Sequence, residues 1–159
     1  MILMAPALLA WARYRHYIRQ DRLLEDFQEA LTLSAERIRA DLAALPALAA
    51  YLEQWGPAGL QPFWKGLRRG MQDKDMELDI LWRRGLEELD LAVQEQQLLE
   101  AWPRVLRSYD TEQVTRELLR MGAELEGRRR ALERRFRRNF KAQTGMQISA
   151  ALLLLILLV

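Results

Sequence analysis

Apolar positions recur at helical spacing through the middle of the chain. Over residues 21–45 six apolar residues and one serine follow one another at intervals of three or four: Leu24, Phe27, Leu31, Ser34, Ile38, Leu42 and Leu45. Such a period places side chains on one face of an α-helix. The chain also has 31 leucines against 14 isoleucines, valines and threonines together, which favours helices over strands. The pattern predicts an all-α protein, a bundle of about five to six helices.

Prolines and glycines divide the first half of this bundle. Pro46 either ends the first helix or starts the second. Breakers are densest over residues 56–70, and they predict a helix up to Trp55, then a turn, then a short helix over residues 62–69.

The second half is predicted to hold two further helices before the last one. The first covers residues 76–91, with Asp73 or Asp75 as its N-cap. The next covers residues 92–107, with a kink at Pro103.

The last helix is predicted to be long. Asp110 followed by Gln113 is close to a capping box, so the helix begins there. No strong breaker follows before an apolar tail, residues 144–159, which carries no charged side chain. As a helix the tail is about 24 Å long, slightly short for a full span. We expect it to be a C-terminal transmembrane helix rather than a buried core helix, because from Leu152 on it is apolar on every face. The candidate membrane-spanning residues are Met146, Ile148, Leu152, Leu155, Ile156 and Val159.

A second apolar segment, residues 1–11, is too short for an ordinary span. Arg13, Arg15 and Arg19 follow it, and Trp11 lies at its border. It is interpreted as a short membrane segment or a truncated span, with a solvated helix start as the alternative. Since both apolar ends carry arginines on the side facing the middle of the chain, residues 12–143 are predicted to form a cytoplasmic domain.

Charge is distributed unevenly. The net charge is +2, but residues 127–141 hold eight cations and one acid, which is +7 and leaves −5 for the rest. A basic cluster beside an apolar tail attracts anionic lipid, so lipid headgroups are the favoured partner; a solvated helix face and nucleic acid are the alternatives. The predicted headgroup-facing residues are Arg128, Arg129, Arg130, Arg134, Arg135, Arg137, Arg138 and Lys141.

Composition argues against catalysis. The chain has no cysteine, three serines and a single histidine, His16, so thiol, multi-histidine metal and most nucleophile–base chemistry is excluded or improbable. No glycine-rich phosphate loop occurs. We expect no enzymatic activity and no cofactor.

The order of motifs resembles the stage III sporulation protein AB family. A tryptophan-led helix, Leu81-Trp82-Arg83-Arg84-Gly85-Leu86, is followed by a leucine-rich helix and by Leu106-Arg107-Ser108-Tyr109-Asp110. The latter is similar to the family's Leu-Gly-x-x-Asp turn, with Arg107 in place of glycine. A long charged helix and a tail ending in isoleucine, leucines and valine complete the likeness.

The resemblance implies a component of the channel-like apparatus that links mother cell and forespore. It implies a place in the mother-cell membrane around the forespore, and a helical domain similar to the cytoplasmic domains of type II secretion and type IV pilus platform proteins. The implied partners are other channel proteins and a cytoplasmic ATPase, stage III sporulation protein AA. Two alternatives are a tail-anchored adaptor unrelated to sporulation and a helical nucleic-acid binder.

Overall fold

The computed structural model describes residues 4–41, 44–72, 77–108 and 110–158, with side chains over 11–41, 44–72, 77–108 and 110–139. These residues contain no β-strand, and the all-helical prediction is confirmed. Seven α-helical segments occur in this part of the chain, one of them a single four-residue turn, together with a 3-10 turn at Ala58–Leu60. The helices are α1 (Met4–Asp41), α2 (Leu45–Trp55), α3 (Gln61–Met71), α4 (Leu78–Glu87), α5 (Val93–Glu100), α6 (Trp102–Val105) and α7 (Thr111–Leu158).

The apolar stripe predicted on the first helix faces the core. Leu24, Phe27, Leu31, Ser34 and Ile38 are all buried along α1. The hydroxyl of Ser34 is satisfied inside the helix, since it donates to the carbonyl of Ala30 at 2.6 Å. Leu42 lies outside the described residues.

Proline and glycine positions divide the next helices as expected. Pro46 lies in the first turn of α2, where a missing N–H leaves no intrahelical bond unmade, so this proline starts a helix. At the other end the N–H of Gly56 donates to the carbonyl of Leu52 at 3.0 Å. A Cβ at position 56 would clash with that same carbonyl, which explains the glycine there.

The helices after α3 are shorter than the pattern suggested. The helix predicted over 76–91 is α4, which begins at Leu78 and ends at Glu87, and its N-cap position is Glu77. The predicted caps Asp73 and Asp75 lie outside the described residues. The chain turns at Leu89, whose carbonyl accepts a hydrogen bond from the N–H of Leu91 at 2.8 Å. Leu89 is partly buried against the core in this turn, so an apolar residue that looked helical belongs to a loop.

The helix predicted over 92–107 is likewise two helices, α5 and α6, which meet at Ala101. Pro103 lies in the first turn of α6. Because proline has no N–H, it cannot donate to the carbonyl of Leu99 four residues earlier. The indole N–H of Trp82 donates to that carbonyl instead, at 3.0 Å. The proline therefore divides the helix and frees an acceptor that ties α4 to α5.

An aromatic cluster fills the centre of the domain. It joins α3, α4 and α6 through Phe63, Trp64, Trp82 and Trp102, whose ring centroids lie 4.9 to 5.8 Å apart in mostly edge-to-face contacts. The three indoles are at most 1% exposed. Since these helices are short, the cluster supplies much of the apolar surface that fixes them to one another.

The two longest helices pack against each other in antiparallel fashion. Asp21 of α1 contacts Arg129 of α7, whereas Leu31, further along α1, lies beside Gly122, earlier in α7. The 48 residues of α7 extend about 72 Å. The antiparallel arrangement brings the beginning of α1 and the later half of α7 to the same end of the domain, and this end carries the candidate site.

Candidate functional site

The basic block predicted to face lipid lies on α7 at the end of the domain shared with the start of α1. Its members have different surroundings, which the helical period explains: successive residues point about 100° apart, so a run of arginines cannot share one face. Two of them, Arg128 and Arg129, point into the domain. The other described members, Arg130, Arg134, Arg135, Arg137 and Arg138, lie on the outer side.

Arg129 joins α7 to α1. Its Nε donates to the Asp21 carboxylate at 2.9 Å, and a second guanidinium nitrogen lies 3.3 Å from Glu25. The side chain is 32% exposed, and the hydrogen bond and charge of Asp21 outweigh its partial burial, so the pKa of Arg129 is raised. This ion pair spans 108 residues of sequence and fixes the register between the helices.

Arg128 is held in a similar way by the body of the domain. It donates to Glu124 one turn earlier at 2.7 Å and lies 3.9 Å from Glu95 of α5. The other oxygen of Glu95 is buried without a hydrogen-bond partner among the described residues. The positive charge of Arg128 therefore stabilises the Glu95 carboxylate, which is partly removed from water. Both guanidinium groups are thus engaged by carboxylates of the domain, and the lipid-facing role expected of Arg128 and Arg129 stays a prediction.

The outer arginines fall into two groups. Arg130 pairs with Glu126, and Arg137 pairs with Glu133 at 2.8 Å, each one helical turn away. Such exposed pairs contribute little and exchange easily with other anions. Within the described part of the chain, Arg134, Arg135 and Arg138 are exposed and form no ion pair. Lys141, predicted to belong to the same set, lies outside the described side chains.

Aromatic side chains connect the two helices at this end. Tyr17 stacks on Phe136 with ring centroids 4.2 Å apart, and Tyr14 contacts the same ring at 5.9 Å. Burial in this contact raises the pKa of Tyr17, and the carboxylate of Asp21 adds to the effect. The phenol therefore stays neutral over the physiological range.

Trp11 is the more exposed of the two exposed aromatic side chains described at the start of α1, the other being Tyr14. Trp11 is 57% exposed, and the guanidinium of Arg15 lies 4.6 Å from its ring centre. Arg13 and Arg19 are exposed on the same part of α1. Exposed tryptophan and arginine side by side are typical of the border between membrane and water.

No helix within the described residues is long and apolar enough to cross a membrane. This finding does not test the predicted membrane anchor, because the side chains of its candidate residues lie outside the described part of the chain. These residues are Met146, Ile148, Leu152, Leu155, Ile156 and Val159, the last of which lies outside it altogether.

The start of α7 has the local structure that the sequence indicated. The Asp110 carboxylate accepts hydrogen bonds from the backbone N–H groups of Glu112 at 2.9 Å and Gln113 at 3.2 Å. In a capping box the Gln113 side chain would accept from the N–H of Asp110; here that N–H donates to the Ser108 hydroxyl at 3.4 Å. Asp110 thus caps the helix without the reciprocal contact.

Two features of the site escaped sequence reasoning. The Asp21–Arg129 pair joins helices at opposite ends of the sequence, and no local pattern signals it. His16 is 54% exposed and lies 3.1 Å from Asp90 in the turn after α4. This contact also joins segments far apart in sequence.

Comparison with known proteins gives one consistent result. The family model described as Stage III sporulation protein AB matches residues 1–159. A solved structure titled Stage III sporulation protein AB (SpoIIIAB) has the same fold, with a TM-score of 0.63 at 13% identity, covering 74% of this chain and 96% of that chain. No curated protein matches the chain in sequence.

Proposed function

We propose, because the chain belongs to the stage III sporulation protein AB family, that it is a structural component of the sporulation apparatus between mother cell and forespore. In this proposal residues 144–159 anchor it in the mother-cell membrane around the forespore. Residues 12–143 form a cytoplasmic platform like those of type II secretion and type IV pilus machines. The platform performs no catalysis and offers its surface to a cytoplasmic ATPase similar to stage III sporulation protein AA.

The observation that carries the proposal is the concentration of unpaired cations at one end of the domain. Arg13 and Arg19 of α1 lie at the same end as Arg134, Arg135 and Arg138 of α7, and in the described part of the chain none of the five forms an ion pair. Both apolar segments adjoin this end in sequence. An arginine near an anionic bilayer contributes about 1 kcal/mol, so this end would be drawn to a membrane surface.

The charges on the exposed side of α1 suggest how the platform contacts lipid and the ATPase through different surfaces. Four arginines lie in its first half. Its second half carries the exposed Glu29 and Glu36, which form no ion pair among the described residues, together with Arg37, which pairs with Asp41, and Arg39. Asp26 lies between the first-half arginines and these two glutamates. Its pKa is raised, mainly because the carboxyl group is partly buried and also because Glu29 and Glu25 are nearby. An ATPase with a basic patch could therefore approach the acidic half without competing with lipid.

The membrane contact is tested with vesicles of anionic and zwitterionic lipid. Substituting Arg134, Arg135 and Arg138 by glutamine should weaken binding of the full chain to anionic vesicles by about 100-fold, since three contributions of about 1 kcal/mol are lost. The matched control replaces Arg104, Arg116 and Arg120, which lie on α6 and the first half of α7, with glutamine. Equal losses in the two triple variants would show that only net charge matters, and would refute a lipid-facing end.

Deleting residues 144–159 should release most of the protein from membranes; full retention in high salt would contradict the anchor.

The ATPase contact is tested by calorimetric titration of the full chain in neutral nanodiscs with the cognate ATPase. Weak binding that declines as salt rises is expected, and Glu29→Lys should reduce it more than Glu112→Lys, a substitution at an exposed glutamate on α7. Absence of binding at any salt, with both proteins folded, would overturn the docking proposal. Robust ATP hydrolysis by the purified chain alone would overturn the structural role.

A further inference from the structure

A charged pocket lies beside the first half of α1. Its volume is about 580 Å³, which is within the range of pockets that hold small molecules. Residues of α1 form one wall, and the 3-10 turn and the turn after α4 form the other. The charged residues that line it are Arg15, Arg19, Arg22, Asp26, Glu88 and Asp90.

The three arginines of the pocket share one face of α1. Arg15, Arg19 and Arg22 are four and three residues apart, so they follow one another over about 10 Å along one side of the helix. All three are exposed. Among the described residues Arg19 and Arg22 form no ion pair, and the guanidinium of Arg15 lies over the Trp11 ring. Such a row suits a phosphate group, because each guanidinium can donate two parallel hydrogen bonds to its oxygens.

The carboxylates of the pocket differ in their surroundings. Asp90 lies 3.1 Å from the Nδ1 of His16. Asp26 is half-buried against the 3-10 turn, where a Cβ at Gly59 would clash with its carboxylate. Glu88 is exposed, and its side chain has no partner in the described part of the chain. The pocket therefore offers acceptors as well as arginines, which favours a ligand that carries hydrogen-bond donors close to its anionic group.

The pocket continues into an apolar groove between α3 and α4. The two cavities share Glu88 and Leu89, and the volume of the groove is about 320 Å³. Apart from Glu88 and Arg84, every residue that lines the groove is apolar or glycine. An alkyl chain in this groove would be removed from water, which is favourable for each buried CH₂ group.

Gly66 keeps the groove open. A Cβ at Gly66 would meet nothing within 4 Å, whereas one at Gly70 would clash with Leu81 and one at Gly85 would lie 2.8 Å from the Phe63 ring. Glycine inside a helix is less favourable than alanine. The packing of α3 on α4 thus explains two of these glycines but not Gly66, where a larger side chain would take up space in the groove.

We infer that the pocket and the groove together bind a single-chain phospholipid, with its phosphate at the arginines of α1 and its acyl chain in the groove. The glycerol hydroxyl and a headgroup ammonium supply the donors that Glu88 and the other carboxylates of the pocket can accept. Neither cavity alone selects this ligand. The selection comes from the order of arginines, Glu88 and apolar groove, which matches the order of phosphate, hydroxyl and chain in such a lipid.

This site differs from the bilayer contact proposed above, because it takes one lipid molecule into the domain. The bilayer contact is tested at Arg134, Arg135 and Arg138, and none of these lines the pocket or the groove. The ATPase contact is tested at Glu29, which does not line them either. Each of the three proposals can therefore fail in experiment while the others hold.

The site is tested by photolabelling of the full chain in nanodiscs. The probe is lysophosphatidylethanolamine with a diazirine near the end of its acyl chain, and labelled residues are located by mass spectrometry after proteolysis. Label is expected on residues 62–67 and 81–89, in addition to any label on the apolar tail. A fatty acid with the same diazirine chain lacks the phosphate and the donors, so its labelling of these residues should be at least about tenfold lower.

Matched variants address the two parts of the site. Gly66→Leu places a side chain in the groove and should reduce labelling there at least about tenfold, whereas Gly127→Leu, at an open helical position on α7, should leave it unchanged. Arg22→Gln should also reduce this labelling, and Arg116→Gln, at an exposed arginine of α7, should not. The arginine pair keeps the test decisive even if Gly66→Leu folds poorly.

Absence of label on α3 and α4, equal labelling by the fatty acid, or equal effects of a variant and its control would each overturn the inference. Competition distinguishes a lipid from a free phosphate. Unlabelled lysophosphatidylethanolamine should displace the probe, and inorganic phosphate at the same concentration should not. Equal displacement by the two would show that the pocket binds a free phosphate, which would also overturn the inference.

Discussion

Replacing Trp82 by phenylalanine would test the hydrogen bond that joins α4 to α5. The indole N–H of Trp82 donates to the carbonyl of Leu99 at 3.0 Å, and both residues are at most 1% exposed. Pro103, four residues after Leu99, has no N–H with which to replace the lost donor. Phenylalanine keeps an aromatic ring in the cluster but removes this donor and leaves part of the indole volume empty.

The magnitude follows from these two losses. The N–H of Ala101 also points to the Leu99 carbonyl, so losing the indole donor costs about 0.5–1.5 kcal/mol, and the smaller ring adds a cavity term. We expect Trp82→Phe to lower the free energy of unfolding by about 2–4 kcal/mol. The loss is measured by urea denaturation of the full chain in mild detergent, followed by far-UV circular dichroism.

The same substitution at an exposed tryptophan provides the control. Trp55 is 65% exposed at the end of α2, so Trp55→Phe should change stability by less than about 0.5 kcal/mol. Equal effects at positions 82 and 55 would refute the assignment of the hydrogen bond as a stabilising element. A change in the dependence on urea concentration, without a change in midpoint, would also contradict it.

Three further predictions concern single side chains and use the same unfolding measurement. Asp110→Ala should lower the free energy of unfolding by about 1 kcal/mol, because the N–H groups of Glu112 and Gln113 lose their acceptor; no loss would mean that water replaces the cap. Gly127→Ala should stabilise the protein by up to about 1 kcal/mol, whereas Gly70→Ala should destabilise it, because only the second creates a clash with Leu81; effects of the same sign would contradict this packing. Asp26→Asn should raise stability at neutral pH, because the folded protein raises the pKa of Asp26 above its unfolded value, so the ionised carboxylate disfavours folding. The gain should disappear as the pH falls below the unfolded pKa of about 4, where Asp26 is protonated in both states; a gain that persists in acid would point to another cause.

Local features of the sequence determined much of this protein. The apolar period of α1, the break at Pro46 and the capping aspartate at position 110 each depend on residues within a turn or two of one another, and the structure has all three where the pattern indicated. The motif order also indicated the family, which the comparison over the whole chain confirmed. Composition and spacing suffice for such features because backbone preference and amphipathicity act over a few residues.

Helix ends in the second half needed tertiary information. Leu89 and Leu91 continue an apolar pattern, yet they pack against the core from a turn. Burying an apolar side chain is favourable whatever the conformation of its backbone. The pattern alone therefore extended α4 too far.

The tertiary structure alone decided the role of each charged residue. In sequence the eight cations of residues 127–141 form one block, but the helical period divides them. Among those whose side chains the structure describes, the antiparallel partner α1 supplies Asp21 and Glu25 to Arg129 alone. The close approach of α3 and α4 likewise depends on Gly70 and Gly85, where a Cβ would meet the side chains of Leu81 and Phe63. Sequence specified which side chains exist and their order on each helix. Which of them meet was decided by the packing of elements as much as 108 residues apart, because contact energies between distant segments depend on the docked geometry and not on spacing along the chain.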